Sequence, residues 1–372
     1  MEAGYIGLNA VSGRPKDEYG TEPTRYDEMR PGCYDVHERI RDMNVAGVLA
    51  SMNFPSFPQF CGQFFVQADD KEVALATIRA YNDWHVDEWC GTYPGRMMPL
   101  ALSPFWDAQL MADEVRRMAA KGCHAVAFSE NPAALGFPSF HSDHWDPFWQ
   151  TCSDLGTVVC LHIGSSSKVP ITALDAPFDV LIALTPLNVV MAAGDLLFSP
   201  VLRKFPELVV ALSEGGIGWI PYFLERVDRV YDNHHEWTHQ DFGDQLPSDV
   251  FRERIVTCFI HDTFGVESRK HLNLDLLTWE CDYPHSDSSW PAAPESIAEY
   301  GDDLTERELA KITHENAMRI FSFDPFTHIP REHATVGALR AQATDVDLSF
   351  RSSPRLKKSG DELVTLTSSG RV

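Results

Sequence analysis

The feature that most constrains this chain is a rhythm in which short, nearly continuous apolar runs alternate with longer stretches of helical periodicity. The runs are Val45 to Met52, Met97 to Leu102, His124 to Phe128, Thr157 to His162, Leu208 to Leu212, Arg254 to Ile260 and Leu276 to Cys281. Between them, Asp69 to Trp89, Asp107 to Ala120, Asp146 to Leu155, Leu187 to Lys204 and Ile217 to His235 place apolar residues at helical spacing, the first opening on acidic residues and stopping at Gly91. Strands that are apolar throughout are buried on both faces, and strands separated by single helices run parallel. The architecture implied is α/β, a distorted (β/α)8 TIM barrel. Seven runs are one short of eight, and an open barrel leaves two strand edges without backbone partners. Within the chain, Gly4 to Val11 is the one candidate for the missing first strand, and it is short and glycine-broken. The alternative is a first strand upstream of Met1, with a histidine near its end, whose restoration would raise stability and metal binding together.

One large domain with a tail accommodates the 372 residues. Residues 1–31 are an irregular lead-in broken by Gly13-Arg14-Pro15 and Glu22-Pro23, residues 32–328 form the barrel, and residues 329–372 are a polar tail expected to be mobile or loosely draped. A composition of 44% hydrophobic and 23% charged residues is that of a globular protein. No window approaches the roughly 18 uninterrupted apolar residues of a membrane span, so a membrane partner is not expected. Counting 31 Lys and Arg against 54 Asp and Glu gives a net charge of −23, which repels phosphate backbones and excludes nucleic acid as a partner. Eight cysteines without a C-x-x-C pair suit a reducing compartment, and the amino terminus shows no signal-peptide pattern, so a cytoplasmic location is expected.

In a parallel barrel the reactive groups sit where strands end. One run ends on His162 before Ile163-Gly164-Ser165, another on Glu214 before Gly215-Gly216, and a third on Asp282; His261-Asp262 follow the sixth run. A strand-end His or Asp can simply cap a loop. An imidazole and two carboxylates converging from separate strands can also hold a divalent cation, and a carboxylate beside metal-bound water can take its proton. His162, Glu214 and Asp282 are therefore the candidate metal ligands, with Asp282 and Glu214 as catalytic groups. The segment Phe54 to Phe65 carries five phenylalanines at the expected mouth, where Phe54 and Phe57 would wall a pocket for a flat substrate or pack against a loop or a second subunit. His141 and His144 flank a helix start with Asp143 and Asp146, which favours capping over ligation, and His234, His235 and His239 suit the negative end of a long helix. Close backbone passage explains Gly215-Gly216 as well as a phosphate cradle does. Asn316 is expected to anchor the last helix.

Tyr81-Asn82-Asp83-Trp84, Pro94-Gly95-Arg96, Gly122-Cys123-His124-Ala125-Val126, Trp145-Asp146-Pro147-Phe148-Trp149, Leu161-His162, Gly215-Gly216, Asp282-Tyr283-Pro284-His285 and Asn316-Ala317 recur in a specific order over residues 33–324. Through them the chain resembles the amidohydrolase-related family that includes aminocarboxymuconate semialdehyde decarboxylase and related aromatic-acid decarboxylases. The resemblance implies a (β/α)8 barrel with one metal ion, zinc or manganese, held by a first-strand His-x-His or Glu-x-His motif, by His162 and by Asp282. It also implies a homodimer, a small cyclic or aromatic carboxylic acid as substrate, and Arg226 reaching the substrate carboxylate of a neighbouring subunit, with His285 on the substrate side. Two departures stand out. No His-x-His, Glu-x-His or Asp-x-His precedes His37, and Glu214 occupies the position where many members place a catalytic histidine. The second departure leaves decarboxylation and hydrolysis both open, and the surplus of carboxylates makes the site harder and favours manganese. The first departure supports the alternative of a non-catalytic barrel retained as an oligomeric or binding protein.

Overall fold

The computed structural model describes residues 8–20, 25–301, 303–352 and 363–365. Seven strands occur among them: β1 (Ser51–Met52), β2 (Met97–Met98), β3 (Ala125–Phe128), β4 (Val158–His162), β5 (Val210–Ser213), β6 (Ile255–Phe259) and β7 (Leu277–Trp279). Each lies within an expected run except β5, which runs one residue past Leu212 to Ser213. All pairings between them are parallel and follow chain order, with β1 on β2 and a second sheet ordered β3-β4-β5-β6-β7. A single bridge, Ala101 with Val126, joins the two sheets. Among the described residues β7 does not pair with β1, so the barrel has an open seam. The candidate first strand is corrected in its described part. Leu8–Ala10 form a 3-10 turn, and the backbone amides of Val11 and Ser12 donate to Pro284 O at 3.0 and 3.1 Å instead of extending a strand edge. Residues 4–7 lie outside the described residues.

The continuous apolar character of the strands follows from two buried layers. Val126, Phe128, Val159, Leu161, Val210 and Leu212 face outer helices through Met111, Val115, Met118, Phe148 and Trp149. Smaller residues alternate with them, and Ala125, Ala127, Val158, Cys160, Ala211 and Val256 form the inner cluster with Leu100 and Leu102. Period-two alternation sorts bulk outward and small residues inward, as a curved sheet requires. Asn82, fully buried, ties this scaffold together by accepting from Leu102 N at 2.9 Å while donating to Leu102 O at 2.8 Å and to Glu114 Oε1 at 2.7 Å. Asn316 donates to Leu274 O and Leu277 O at 2.6 and 2.8 Å, the anchoring role expected of it.

Four boundaries differ from expectation. Val45 and Ala46 belong to a helix, Val36–Ala46, capped by Asp35 through the amides of His37 and Glu38 and ended by Gly47 at φ 70°. The helix expected over Asp69 to Trp89 is Lys71–Trp84, continued by a wide turn at His85–Cys90. Phe178–Phe198 is by length and composition apolar enough to cross a membrane, with a window of mean hydropathy 1.9, although Asp179, Thr185, Pro186, Asn188 and Asp195 interrupt it. It divides at Thr185-Pro186, and Val189, Ala192, Ala193, Leu196 and Leu197 pack into the core. The tail is docked over part of its length. Val336–Ala341 form a helix with Leu339 buried, Arg340 holds both carboxylate oxygens of Glu295 at 2.6 and 2.7 Å, and Phe178 N donates to Val364 O.

Candidate active site

Strand ends bring the expected residues together on one side of the sheet, at a cavity of about 1740 Å³ lined from both edges of the seam. His162 ends β4. Its Nδ1 lies 2.7 Å from Ile163 O, an arrangement that fixes the proton on Nδ1 and turns the Nε2 lone pair toward Glu214 Oε2 at 3.2 Å. Phe60 stacks on this ring at 3.9 Å and Phe54 meets it edge-on at 4.7 Å. Glu214 follows β5 and Asp282 lies beyond β7, and donor atoms of Glu214, Asp282 and His285 all lie within 4.8 Å of one another. His285 Nδ1 is 3.0 Å from Asp282 Oδ2. The sequence placed His285 on the substrate side. Here it joins Glu214 and Asp282 in a group that could hold a metal ion, and His162 reaches that group through Glu214.

The glycines after Glu214 are explained by close passage. A Cβ on Gly215 would stand 2.6 Å from Val189 Cγ1, and Gly216 adopts φ 63° with Asp262 3.2 Å from its Cβ position. The loop bearing Asp282 and His285 is held from outside the sheet. The lead-in places Arg30 on Asp42 at 2.7 Å, both side chains nearly inaccessible, with the Arg30 guanidinium over Trp290; Tyr283 donates its phenol to Asp42.

Burial pushes the carboxyl groups of Glu214 and Glu280 well above the usual carboxylate range, with Asp282 raising Glu214 further and Glu214 raising Glu280. Burial likewise pushes Asp282 up to about 8. No Lys or Arg forms an ion pair with any of the three among the described residues. Glu280 Oε1 is buried without a hydrogen bond, Asp282 Oδ2 has only the 3.0 Å approach of His285 Nδ1, which is not aligned as a hydrogen bond, and the His162 lone pair faces a carboxylate oxygen. Such a set needs protons or a cation to be stable. It therefore fits a divalent metal, with oxygen donors in the majority.

Other candidates lie apart from this centre. Arg226 is exposed on the helix Ile220–Thr238 and does not line the cavity of its own chain. Phe57 lines the cavity but is 64% exposed, whereas Phe64 and Phe65 are buried in the inner cluster. His141 pairs with Asp195 at 2.7 Å, Ser142 caps the turn beside it, and His235 bonds Tyr231 O at 2.9 Å, so neither histidine group forms a metal site. Glu280 and Phe60 went unselected in the sequence.

The amidohydrolase family model matches residues 17–323, and the chain belongs to that family. Among solved structures it is similar to 5-carboxyvanillate decarboxylase LigW from Sphingomonas paucimobilis, at 22% identity and a TM-score of 0.62 over 83% of this chain and 89% of that one. It is also similar to 2,6-dihydroxybenzoate decarboxylase from Rhizobium, at 18% identity and a TM-score of 0.58 over 86% and 99%. A third is a 5-carboxyvanillate decarboxylase from Novosphingobium aromaticivorans with bound manganese, at 16% identity and a TM-score of 0.60 over 76% and 80%. Among curated proteins none matches the chain.

Proposed function

We propose that this chain is a divalent-metal-dependent decarboxylase of a small aromatic carboxylic acid. The observation that carries the proposal is the His162–Glu214 pair set against the Glu214–Asp282–His285 cluster at one end of a parallel sheet. Glu214, Asp282 and His285 would hold the cation, with His162 closing the group through Glu214. The ion, manganese by the hardness of this donor set, supplies positive charge to a substrate oxygen. Phe54, Phe57 and Phe60 offer flat apolar walls for an aromatic ring. A proton shared between Glu214 and His162 Nε2 is placed for transfer to the ring carbon as the carbon–carboxylate bond breaks and carbon dioxide leaves, after which the pair regains a proton from solvent. Hydrolysis remains the second reading because a carboxylate at Glu214 can equally take a proton from water. Arg226, exposed and outside its own cavity, suits a role in the site of a second copy, so we assign the active unit as a homodimer. Exposed Ile182, Leu187 and Met191 supply apolar surface for that contact. The relatives named above act on carboxylated phenols. The test is carbon dioxide release from 2,6-dihydroxybenzoate and 5-carboxyvanillate by manganese-loaded protein. Release should be abolished by chelation and lowered by about 10²- to 10⁴-fold in Glu214→Gln. Protein that binds manganese yet leaves every such acid intact would overturn decarboxylation, and ring opening of a cyclic amide or ester by the same protein would install hydrolysis instead.

A further inference from the structure

The trio of Glu214, Asp282 and His285 leaves a cation with fewer protein donors than a closed site carries. We propose that Glu280 is a further metal ligand, supplying from the end of β7 a protein donor beyond the trio. This rests on the metal site proposed above. Three observations support it. Glu280 N donates to Phe259 O at 3.1 Å, which keeps its backbone in register with β6 one residue past β7, at the strand end from which Asp282 and His285 follow. Glu280 also lines the same cavity as Glu214, Asp282 and His285. Its Oε1 is buried without a hydrogen bond, and no Lys or Arg ion pair reaches it among the described residues. A buried carboxylate oxygen left unpaired in a cavity that also holds Glu214 and Asp282 is expensive unless a cation uses it. A purely structural carboxylate would use both oxygens, whereas Glu280, held by the Glu214 backbone and the Cys258 thiol, leaves Oε1 without a partner. The resulting group of three carboxylates and one imidazole is hard, and it prefers manganese or magnesium over zinc more strongly than the trio alone.

The test uses metal-stripped full-length chain, titrated calorimetrically with manganese and with zinc, as wild type, Glu280→Gln, Glu280→Asp and Glu280→Cys. Glu280→Gln should weaken manganese binding by about tenfold or more while narrowing the manganese-to-zinc preference, and Glu280→Asp, which keeps the carboxylate, should recover part of both. Loss of affinity alone would also follow from a supporting role outside the coordination sphere, so Glu280→Cys supplies a direct readout. Cobalt bound to that variant should show a thiolate-to-cobalt charge-transfer band that wild type, despite its buried Cys258, lacks. Absence of the band in a variant that binds cobalt, or unchanged manganese affinity in Glu280→Gln, would remove Glu280 from the site and leave the metal reading standing. Wild type that binds no divalent ion would instead overturn the underlying metal site, and this inference with it.

Discussion

Glu214 and Asp282 hold φ at 60° and 51°, a left-handed conformation that residues with a Cβ seldom adopt. Strain of roughly 1 kcal/mol or more at each persists only where surrounding structure fixes it, and here the tight turns at Gly215-Gly216 and at His285 N to Asp282 O do so. Both side chains are thereby turned toward each other and not along their strands. His85 shows the opposite use of burial. It lies beneath Leu100, whose amide donates to His85 Nε2 at 3.3 Å, and burial lowers its pKa from 6.5 to about 4. A pKa depressed in the folded state means that the unfolded chain takes up the proton first. The stabilisation from neutral His85 is therefore complete above pH 6.5 and is lost as pH falls from there toward 4, on the order of 3 kcal/mol when fully developed. Denaturant unfolding of wild type and His85→Gln between pH 7 and pH 4.5 should show a steeper loss in wild type. Parallel pH profiles would contradict the assignment.

At the level of elements, the helix Val336–Ala341 tests whether the tail belongs to the fold. Leu339 is 2% exposed, so Leu339→Ala should cost about 2 to 3 kcal/mol by denaturant unfolding. Arg340→Ala should cost less than about 1 kcal/mol, because the Arg340–Glu295 pair is open to solvent. A free tail would leave stability untouched by either change. The same contrast explains what the sequence could and could not disclose. Strands β3 to β6 are legible because both of their faces are buried, which leaves continuous apolar runs, and His162, Glu214 and Asp282 are legible because they terminate such runs. Val36–Ala46 carries its own cap at Asp35 and its stop at Gly47, yet its buried face includes Arg39, Asp42 and Asn44, so the apolar periodicity that marks a helix is missing. Those polar groups are buried because partners distant in the chain satisfy them: Arg30 and Tyr283 on Asp42, Arg96 on Asn44. No local pattern encodes such pairs. Glu280 escaped for a related reason, since its significance depends on Glu214 arriving from another strand. The docking of Leu339 was hidden by the polar composition around it.

At the scale of the whole molecule, the seam between β1 and β7 is the feature that most affects the site, because the cavity opens along it and Glu280, Asp282 and His285 line one side. Backbone amides in a parallel strand alternate between its two neighbours. Ser51 N donates to Arg96 O toward β2, and Glu280 N donates to Phe259 O toward β6. The amides of Ala50 and Met52 on one edge, and of Leu277 and Trp279 on the other, therefore point into the seam. Those of Val159 to Leu161 and of Ala211 and Leu212 are flanked by strands on both sides. Hydrogen exchange resolved to single amides should separate the two groups. The seam-facing amides should exchange at rates set by local opening of a few kcal/mol at most, and the amides of β4 and β5 should exchange only with global unfolding. Manganese should then slow exchange at Leu277 and Trp279 more than at Ala50 and Met52, since three of the proposed ligands, Glu280, Asp282 and His285, follow directly from β7 and none follows β1. Strong protection on both edges in the metal-free chain would show instead that a further strand closes the barrel, and the search for its residues would move to the segment preceding Leu8.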